Sequence, residues 1–572
     1  MRGMRTMVAA LLATWMLVGV VVEALAPLAV SERPSFAELS DLRGRSRNIA
    51  IVTTAALPWM TGTSVNPLLR AVYLERMKEK HQVTLVVPWI CEKDQACIYP
   101  GGVVFKEQEG QVVWIRNWVK QHLDFKTNIE IKFYEAQYRP EFGSIFPLSD
   151  VTLSVPVLER DVAFLEEPEH LTWYHQGNKW CDMFNFVVGI IHTNYFNYAV
   201  NDHQVPPPAR LPRAIILSTL NTWCVRSYCH RIIKLSDAVP SYPYSITSNI
   251  HGVRSSFINI GASKINPSLF GSSRFSKGCY FIGKALWAKG YRQLMVQLKE
   301  HRRRTGVNLP IDVYGGGPDI DLIKAECEKE KMAWVFHGPI DHANPKLHDY
   351  KVMINPSLSD VVCTTTAEAL AMGKFVVCAD HPSNEFFKTF RNCFVYNTPA
   401  EFSLCLQHAM AADPAPLTEN DRFRLSWEAA TERLYDAAYT GSRRRSQHLV
   451  DQVLARVHNK IASWDIIRGW LPAPSSEPSG RSYSGWTRTW ATPNGWENNE
   501  GKNLKGRLLL SASFLGIAAC ALIHDKVAED VVKSAKENTR KVRDWRFQPP
   551  RMPRLPKLRL SIEAPSEEEV EE

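Results

Sequence analysis

Residues 353–380 read MINPSLSDVVCTTTAEALAMGKFVVCAD, and the order of the parts in this stretch decides the fold. An apolar strand ends at Asn355-Pro356, a polar loop follows, a short Ala-rich helix closes at Gly373, and a second apolar strand begins. Strand, loop, helix and strand make half of a nucleotide-binding α/β sheet, in which ligands sit beyond the carboxyl ends of the strands. Asp360 and Glu368 therefore fall in a ligand crevice. Eight positions separate them, which puts one on the strand-end loop and the other just inside a helix whose first turn offers free backbone N–H groups. Carboxylates for sugar hydroxyls beside amides for phosphates are the partners that a sugar nucleotide needs.

Around this unit the same alternation continues. Strands are expected at 279–283, 311–314, 334–337, 352–355, 375–379 and 394–396, with helices between them. Toward the N-terminus, 48–55 reads as a buried parallel strand, 66–80 as a helix and 83–87 as the neighbouring strand. Residues 57–63, with Pro58 and Gly62, form a turn between the first two. The turn is not Gly-x-Gly-x-x-Gly, which disfavours a dinucleotide-dependent dehydrogenase. Further strands at 162–165 and 187–192 end at the polar clusters Glu166-Glu167-Pro168-Glu169-His170 and His192-Thr193-Asn194-Tyr195. A helix through Trp223 leads to a strand at 232–235, residues 249–253 close the unit, and the Gly-, Ser- and Asn-rich stretch 259–276 reads as a linker. The α/β alternation predicts two doubly wound units.

The segment SDVVCTTTAEALAMGKFVVCADHPSNEFF resembles the nucleotide-sugar signature of family 4 retaining glycosyltransferases, in the version found in digalactosyldiacylglycerol synthases. IAIVTTAALPWMTGTSVNPLLRA, VTLVVPW, LEEPEHLTWYH, VVGIIHTNY, HGV, FIGKALWAKGYRQL and LSWEAATERL resemble that family in the same order, over roughly residues 48–436. The resemblance implies a GT-B fold, two Rossmann-like domains facing a cleft, with a helix over 425–439 crossing back to the first. It also implies transfer of galactose from UDP-galactose to a galactolipid acceptor, with retention and without a metal or other cofactor.

Site roles follow from the same resemblance. Glu368 would hold the ribose hydroxyls, and Asp360, where many relatives carry Glu, the donor sugar. Lys284 and Lys289 would neutralise the diphosphate, with Lys284 standing where Arg is common and so offering a point charge rather than a fork. Thr364, in the run Cys363 to Thr366, would offer amides and hydroxyls to phosphate or sugar, and the Gly62-Thr63 loop would approach the diphosphate from the first domain. His192 would face the donor sugar, and Glu166, Glu167, Glu169 and His170 are candidates for the acceptor side. His192, Asp360 and Lys289 are thus the expected catalytic group. Each has a plainer reading beside it: a helix-start glutamate, solvated lysines, a tight turn, a structural histidine, carboxylates that cap helices. The shorter Asp360 also leaves open a catalytically inactive GT-B membrane scaffold, or an enzyme using another sugar or acceptor.

The expected division is 1–46 as a hydrophobic targeting or anchor segment with linker, 47–260 and 261–440 as the two domains, and 441–572 as an extension. At 572 residues, 45% hydrophobic and 22% charged, the composition is that of a globular protein with tails. Arg2 and Arg5 precede an apolar run at 7–22; cleaved signal, uncleaved anchor and organelle address all fit, and Pro27 after Ala24-Leu25-Ala26 argues against cleavage. Residues 442–472 have the pattern of an amphipathic helix, and a second apolar run at 508–523 has basic flanks. The basic stretch 533–559 suits an anionic lipid surface better than nucleic acid, so a membrane partner, at the plastid envelope by resemblance, is expected. Twelve scattered cysteines form no Cys-x-x-Cys pair, which reads as a reducing compartment and no structural metal. Oligomeric state has no signature in the sequence.

Overall fold

The structure is a computed structural model that describes residues 35–264 apart from 141, 176 and 201–205, residues 275–441, and positions 451, 454–456, 458 and 459. The runs at 7–22 and 508–523, the basic stretch and the acidic end lie outside the described residues. Among the described residues no helix is long and apolar enough to cross a membrane.

The first sheet has eight strands: β1 (Asn48–Val52), β2 (Gln82–Trp89), β3 (Glu130–Arg139), β4 (Ser144–Pro147), β5 (Val162–Glu166), β6 (Phe186–Ile191), β7 (Arg231–Lys234) and β8 (Ser245–Thr247). Their order is β4-β3-β2-β1-β5-β6-β7-β8, parallel throughout except for the β3–β4 pair. β5 and β6, VAFLE and FVVGII, are buried at every residue, as parallel strands covered on both faces must be. β3, β4 and the edge strand β8 had no counterpart in the sequence reading. β3 is only partly buried, so it lacks the apolar run that revealed the others.

The second sheet is wholly parallel: β9 (Lys277–Ile282), β10 (Ile311–Tyr314), β11 (Trp334–Gly338), β12 (Tyr350–Asn355), β13 (Phe375–Ala379) and β14 (Cys393–Tyr396), in the order β11-β10-β9-β12-β13-β14. Strand alternation splits its core in two, with Cys279 and Phe281 facing one apolar cluster and Tyr280 the other. Both sheets reverse direction at one point, between β1 and β5 and between β9 and β12, and a doubly wound sheet opens its ligand crevice there. Two such domains facing one another make the GT-B arrangement.

Three boundaries differ from the sequence reading. The first long helix runs Gly62–Arg76 rather than 66–80, so that five of its residues precede Pro67. Pro67 cannot donate to the Thr63 carbonyl, but the Thr53 hydroxyl donates to it instead. The stretch read as a polar linker up to residue 47 joins the first domain from Ser35 on: Phe36–Ser40 is helical, Leu39 and Leu42 are buried, and buried Arg47 pairs with Asp161. Part of the stretch read as an inter-domain linker is helix as well, since Ser255–Ser263 packs Phe257 into the second core. Gly261 makes that packing possible, because a Cβ there would lie 2.0 Å from the Ala371 carbonyl oxygen.

The chain accordingly crosses between domains at residues 251–253 and returns at 425–427. The Val253 N–H donates to the Leu425 carbonyl at 2.8 Å, and a Cβ on Gly252 would strike the Trp427 backbone at 2.4 Å. The returning helix, Trp427–Ala438, lies on the first domain as expected: Trp427 stacks on Tyr73, and Tyr435 hydrogen-bonds His81 at 2.8 Å. Burying Trp427 alone contributes roughly 1.5–3 kcal/mol to that seam. Beyond it, Asp451, Ala455 and His458 are buried; Asp451 pairs with Arg226 at 2.9 Å and His458 bonds the Tyr228 hydroxyl at 2.9 Å. Their spacing fits an amphipathic helix held against the first domain.

Candidate functional site

On the second domain, Lys284 and Lys289 follow β9 and Asp360 follows β12, so neighbouring strands at the switch point deliver both charges to one edge. Lys289 closes a helical turn, Trp287–Lys289, and forms an ion pair with Asp360. The Ser359 hydroxyl donates to the Ala288 carbonyl at 2.8 Å and binds the two loops together. Burial opposes the charge of Asp360, but Lys289 outweighs it and holds the carboxyl below its ordinary value. Burial likewise opposes the Lys289 ammonium, yet Asp360 keeps its pKa raised. Lys284 is exposed at the surface of the crevice; its low-dielectric surroundings, then repulsion from Lys289, lower its pKa. Asp360 and Lys289, assigned separate partners in the sequence reading, are each other's partner here.

Thr364 starts the eight-residue helix Thr364–Ala371, with Cys363 as its N-cap, and the first-turn amides are free of intrahelical acceptors. Glu368 is one turn further in. Its Oε2 accepts from His342 Nδ1 at 2.7 Å, and His342 Nε2 meets the Tyr280 hydroxyl at 2.7 Å. Neither Tyr280 nor His342 was singled out in the sequence, where they stand far from Glu368.

The first domain's edge is built differently. Glu166, the last residue of β5, is wholly buried, receives Arg70 Nε at 2.7 Å and bonds His192 Nε2. Burial opposes its ionisation, but Arg70 and then His192 hold the carboxyl below its ordinary value. Glu167, at φ 63, takes the Thr54 hydroxyl at 2.7 Å together with Thr193 and Tyr195. Glu169 has no exposed surface and neither carboxylate oxygen has a hydrogen-bond partner, so burial, reinforced by Glu167, drives its pKa well upward. His170 bonds the Ile145 carbonyl at 2.8 Å and stacks on Phe146.

Glu166, Glu169 and His170, expected on the acceptor side, are thus closed into the domain: Glu166 ends the buried strand β5 under Arg70 and His192, and the helix Pro168–Thr172 turns Glu169 and His170 inward. Gly62 and Thr63 open a helix rather than a loop, with Thr61 as N-cap. A Cβ on Gly62 would meet only Asn66 Nδ2 at 3.6 Å, an ordinary contact, so the protein itself does not require glycine there. The sequence reading also missed Arg70, which joins Glu166 to the crossing through the Ile250 carbonyl at 3.0 Å and lies over the Trp427 ring. Its position inside a helix gives no such hint. The two edges touch: the Ser236 hydroxyl donates to the Val361 carbonyl, His122 lies 3.8 Å from Asp341, and Tyr198 is near enough to Lys289 to raise its pKa. Among the described residues no group of three His, Cys, Asp or Glu side chains is placed to hold a metal ion.

The family described as glycosyl transferases group 1 matches residues 276–411, which is the domain carrying Lys284, Lys289, Asp360 and Glu368. Digalactosyldiacylglycerol synthase 2, chloroplastic, of Lotus japonicus is 43% identical over 441 residues, 74% of this chain and 94% of the relative. Digalactosyldiacylglycerol synthase 1, chloroplastic, of the same plant is 47% identical over 397 residues, 69% of this chain and 50% of that relative. The chain therefore spans about half the length of the type 1 relatives it matches. Among solved structures, sucrose-phosphate synthase from Thermosynechococcus elongatus aligns over 68% of this chain and 98% of its own at 13% identity, with a TM-score of 0.43. Identity of this depth over nearly the whole of the type 2 relative means that the chain belongs to the digalactosyldiacylglycerol synthase family.

Proposed function

We propose that this chain transfers galactose from UDP-galactose to monogalactosyldiacylglycerol, with retention at the donor anomeric carbon, to give digalactosyldiacylglycerol. The observation that carries the reading is the 43% identity over 94% of a relative named for that product. Glu368 holds the ribose, Asp360 the donor sugar, and Lys284 and Lys289 the diphosphate. As the bond from the anomeric carbon to the diphosphate breaks, the acceptor oxygen bonds that carbon from the same face and its proton passes to the departing diphosphate. Two lysines beside the leaving group stabilise the charge it gains, which is electrostatic catalysis rather than covalent catalysis. His192, held through Nε2 by Glu166, is the first-domain group that this reading sets beside the sugar. No metal is needed in this scheme, because Lys284 and Lys289 fill the charge role.

The relatives are named chloroplastic, and the proposed workplace is the plastid envelope, where an acceptor with two acyl chains resides. The test offers radiolabelled UDP-galactose and UDP-glucose to the full chain with monogalactosyldiacylglycerol vesicles, with and without excess chelator. Galactose transfer unaffected by chelator is expected. Transfer of glucose only would move the reading to another lipid glycosyltransferase. Donor binding without transfer would mark an inactive scaffold.

A further inference from the structure

Glu368 is held by something the donor signature does not contain. The side chain keeps 21% of its surface in solvent, and among the described residues its one side-chain hydrogen bond is the contact with His342. An ionised carboxylate only accepts, so Nδ1 of His342 donates to it, while Nε2 is engaged by the Tyr280 hydroxyl at 2.7 Å. This contact consumes one carboxylate oxygen, while Oε1 remains open for a ligand.

The two supporting residues are themselves rigid. Tyr280 lies in the middle of β9 with no exposed surface, its ring 5.0 Å from Tyr350 and beneath the Lys374 ammonium. His342 is 5% exposed, against Phe257 of the crossing helix. Its loop is pinned on both sides, by Asp341 to Arg254 at 3.1 Å and to the Ala343 N–H at 2.9 Å, and by His348 to the Ala343 carbonyl at 2.8 Å. A glutamate with three rotatable bonds loses that freedom before ligand arrives, which is how a supporting residue raises affinity without touching ligand.

We infer that Tyr280 and His342 are positioning residues that hold the Glu368 carboxylate in place for the ribose hydroxyls of the nucleotide. The inference rests on the reading of Glu368 as the ribose ligand. A merely structural role would lower the binding of every nucleotide alike, whereas a positioning role acts only on nucleotides that possess ribose hydroxyls.

The experiment titrates the full chain with UDP and with 2′,3′-dideoxy-UDP. The native protein prefers UDP. His342→Ala is expected to weaken UDP about tenfold, the size of a charge-assisted hydrogen bond, and to leave dideoxy-UDP within about twofold. His342→Asn, whose amide reaches where Nδ1 stands, restores most of the preference. Tyr280→Phe, which removes the hydroxyl that holds the His342 ring but keeps the aromatic ring, loses about threefold for UDP alone. Equal weakening of both nucleotides in His342→Asn and Tyr280→Phe, or an intact preference in His342→Ala, overturns the inference. Glu368→Ala separates the two ideas: if it keeps the native preference, the ribose reading fails and this inference with it. If it loses the preference while His342→Ala keeps it, only the inference fails.

Discussion

The two sheets wind the same way and bring carboxylates to the same kind of edge, yet they treat those carboxylates in opposite fashion. On the second domain, Lys284 and Glu368 keep part of their surface open to the crevice, and Lys289 keeps 28% of its side chain in solvent. On the first, Glu166 and Glu169 are wholly buried and Glu167 nearly so, each turned toward the domain's own residues or toward none. Charge on the second edge, at Lys284 and Glu368, is available to a ligand, although Asp360 is itself buried and paired with Lys289. On the first it is spent on holding β5, the Gly62–Arg76 helix and the chain crossing together. On the proposed reading, the electrostatics then stand on the donor side, and the acceptor side is left to shape, hydroxyls and rings.

The largest expected effect lies on the donor edge. If Lys289 stands beside the departing diphosphate as proposed, Lys289→Ala should lower turnover about 10²–10³-fold, with a smaller change in UDP affinity. Glu368→Ala should do the reverse, weakening UDP by about tenfold or more with less effect on turnover. Initial rates and UDP titration of both variants give the answer. Normal turnover in Lys289→Ala would erase the contrast between the edges.

The next effect is on stability, and belongs to the first domain. Arg70→Met leaves Glu166 buried with His192 as its remaining partner, and breaking a buried pair in this way costs about 3–5 kcal/mol. Arg70→Met combined with Glu166→Leu should recover much of the loss, because no charge is then stranded. Lys289→Ala should cost less than Arg70→Met, since solvent screens the partly exposed Lys289. Urea unfolding of the full chain, followed by tryptophan fluorescence, compares the three. If Arg70→Met unfolds at the native midpoint but loses activity, Glu166 acts on substrate rather than on the fold.

How far the sequence revealed all this follows the same division. The donor edge was legible because loop, helix start and both strands stand in one run of 28 residues, so spacing alone locates Asp360 and Glu368. The first edge was legible only as polar clusters at strand ends. What decides the fate of Glu166 is Arg70, 96 positions away, and no local pattern couples them. The same holds for His342, 26 positions from Glu368 and beyond a strand. The helix Ser255–Ser263 was hidden for another reason: Gly261 and its serines have the composition of a loop, but the glycine is there to let two helices touch. The apolar runs that name strands say nothing of which polar side chains fold inward.

The smallest expected effect sets Glu166, at the end of β5, against Glu169, three residues on in the following helix and shifted in the opposite direction. Glu166 has a depressed pKa, so the stability it confers is present above its unfolded value of about 4.5 and is lost as pH falls through the lower folded value. Glu169 is raised well above 4.5, so the folded state holds a proton that the unfolded state releases. Its contribution is full below about pH 4.5 and declines as pH rises toward the folded pKa, at a slope of up to one proton, about 1.4 kcal/mol per pH unit. Glu169→Gln keeps the shape of the neutral acid and removes the titration. Above about pH 5 the native protein should therefore lose stability relative to Glu169→Gln, and the gap should widen with pH until the folded carboxyl itself ionises. Melting temperatures of both across that range measure it. Parallel curves would mean that Glu169 is ionised inside the domain and finds a partner there, and the first edge would then hold an available charge after all.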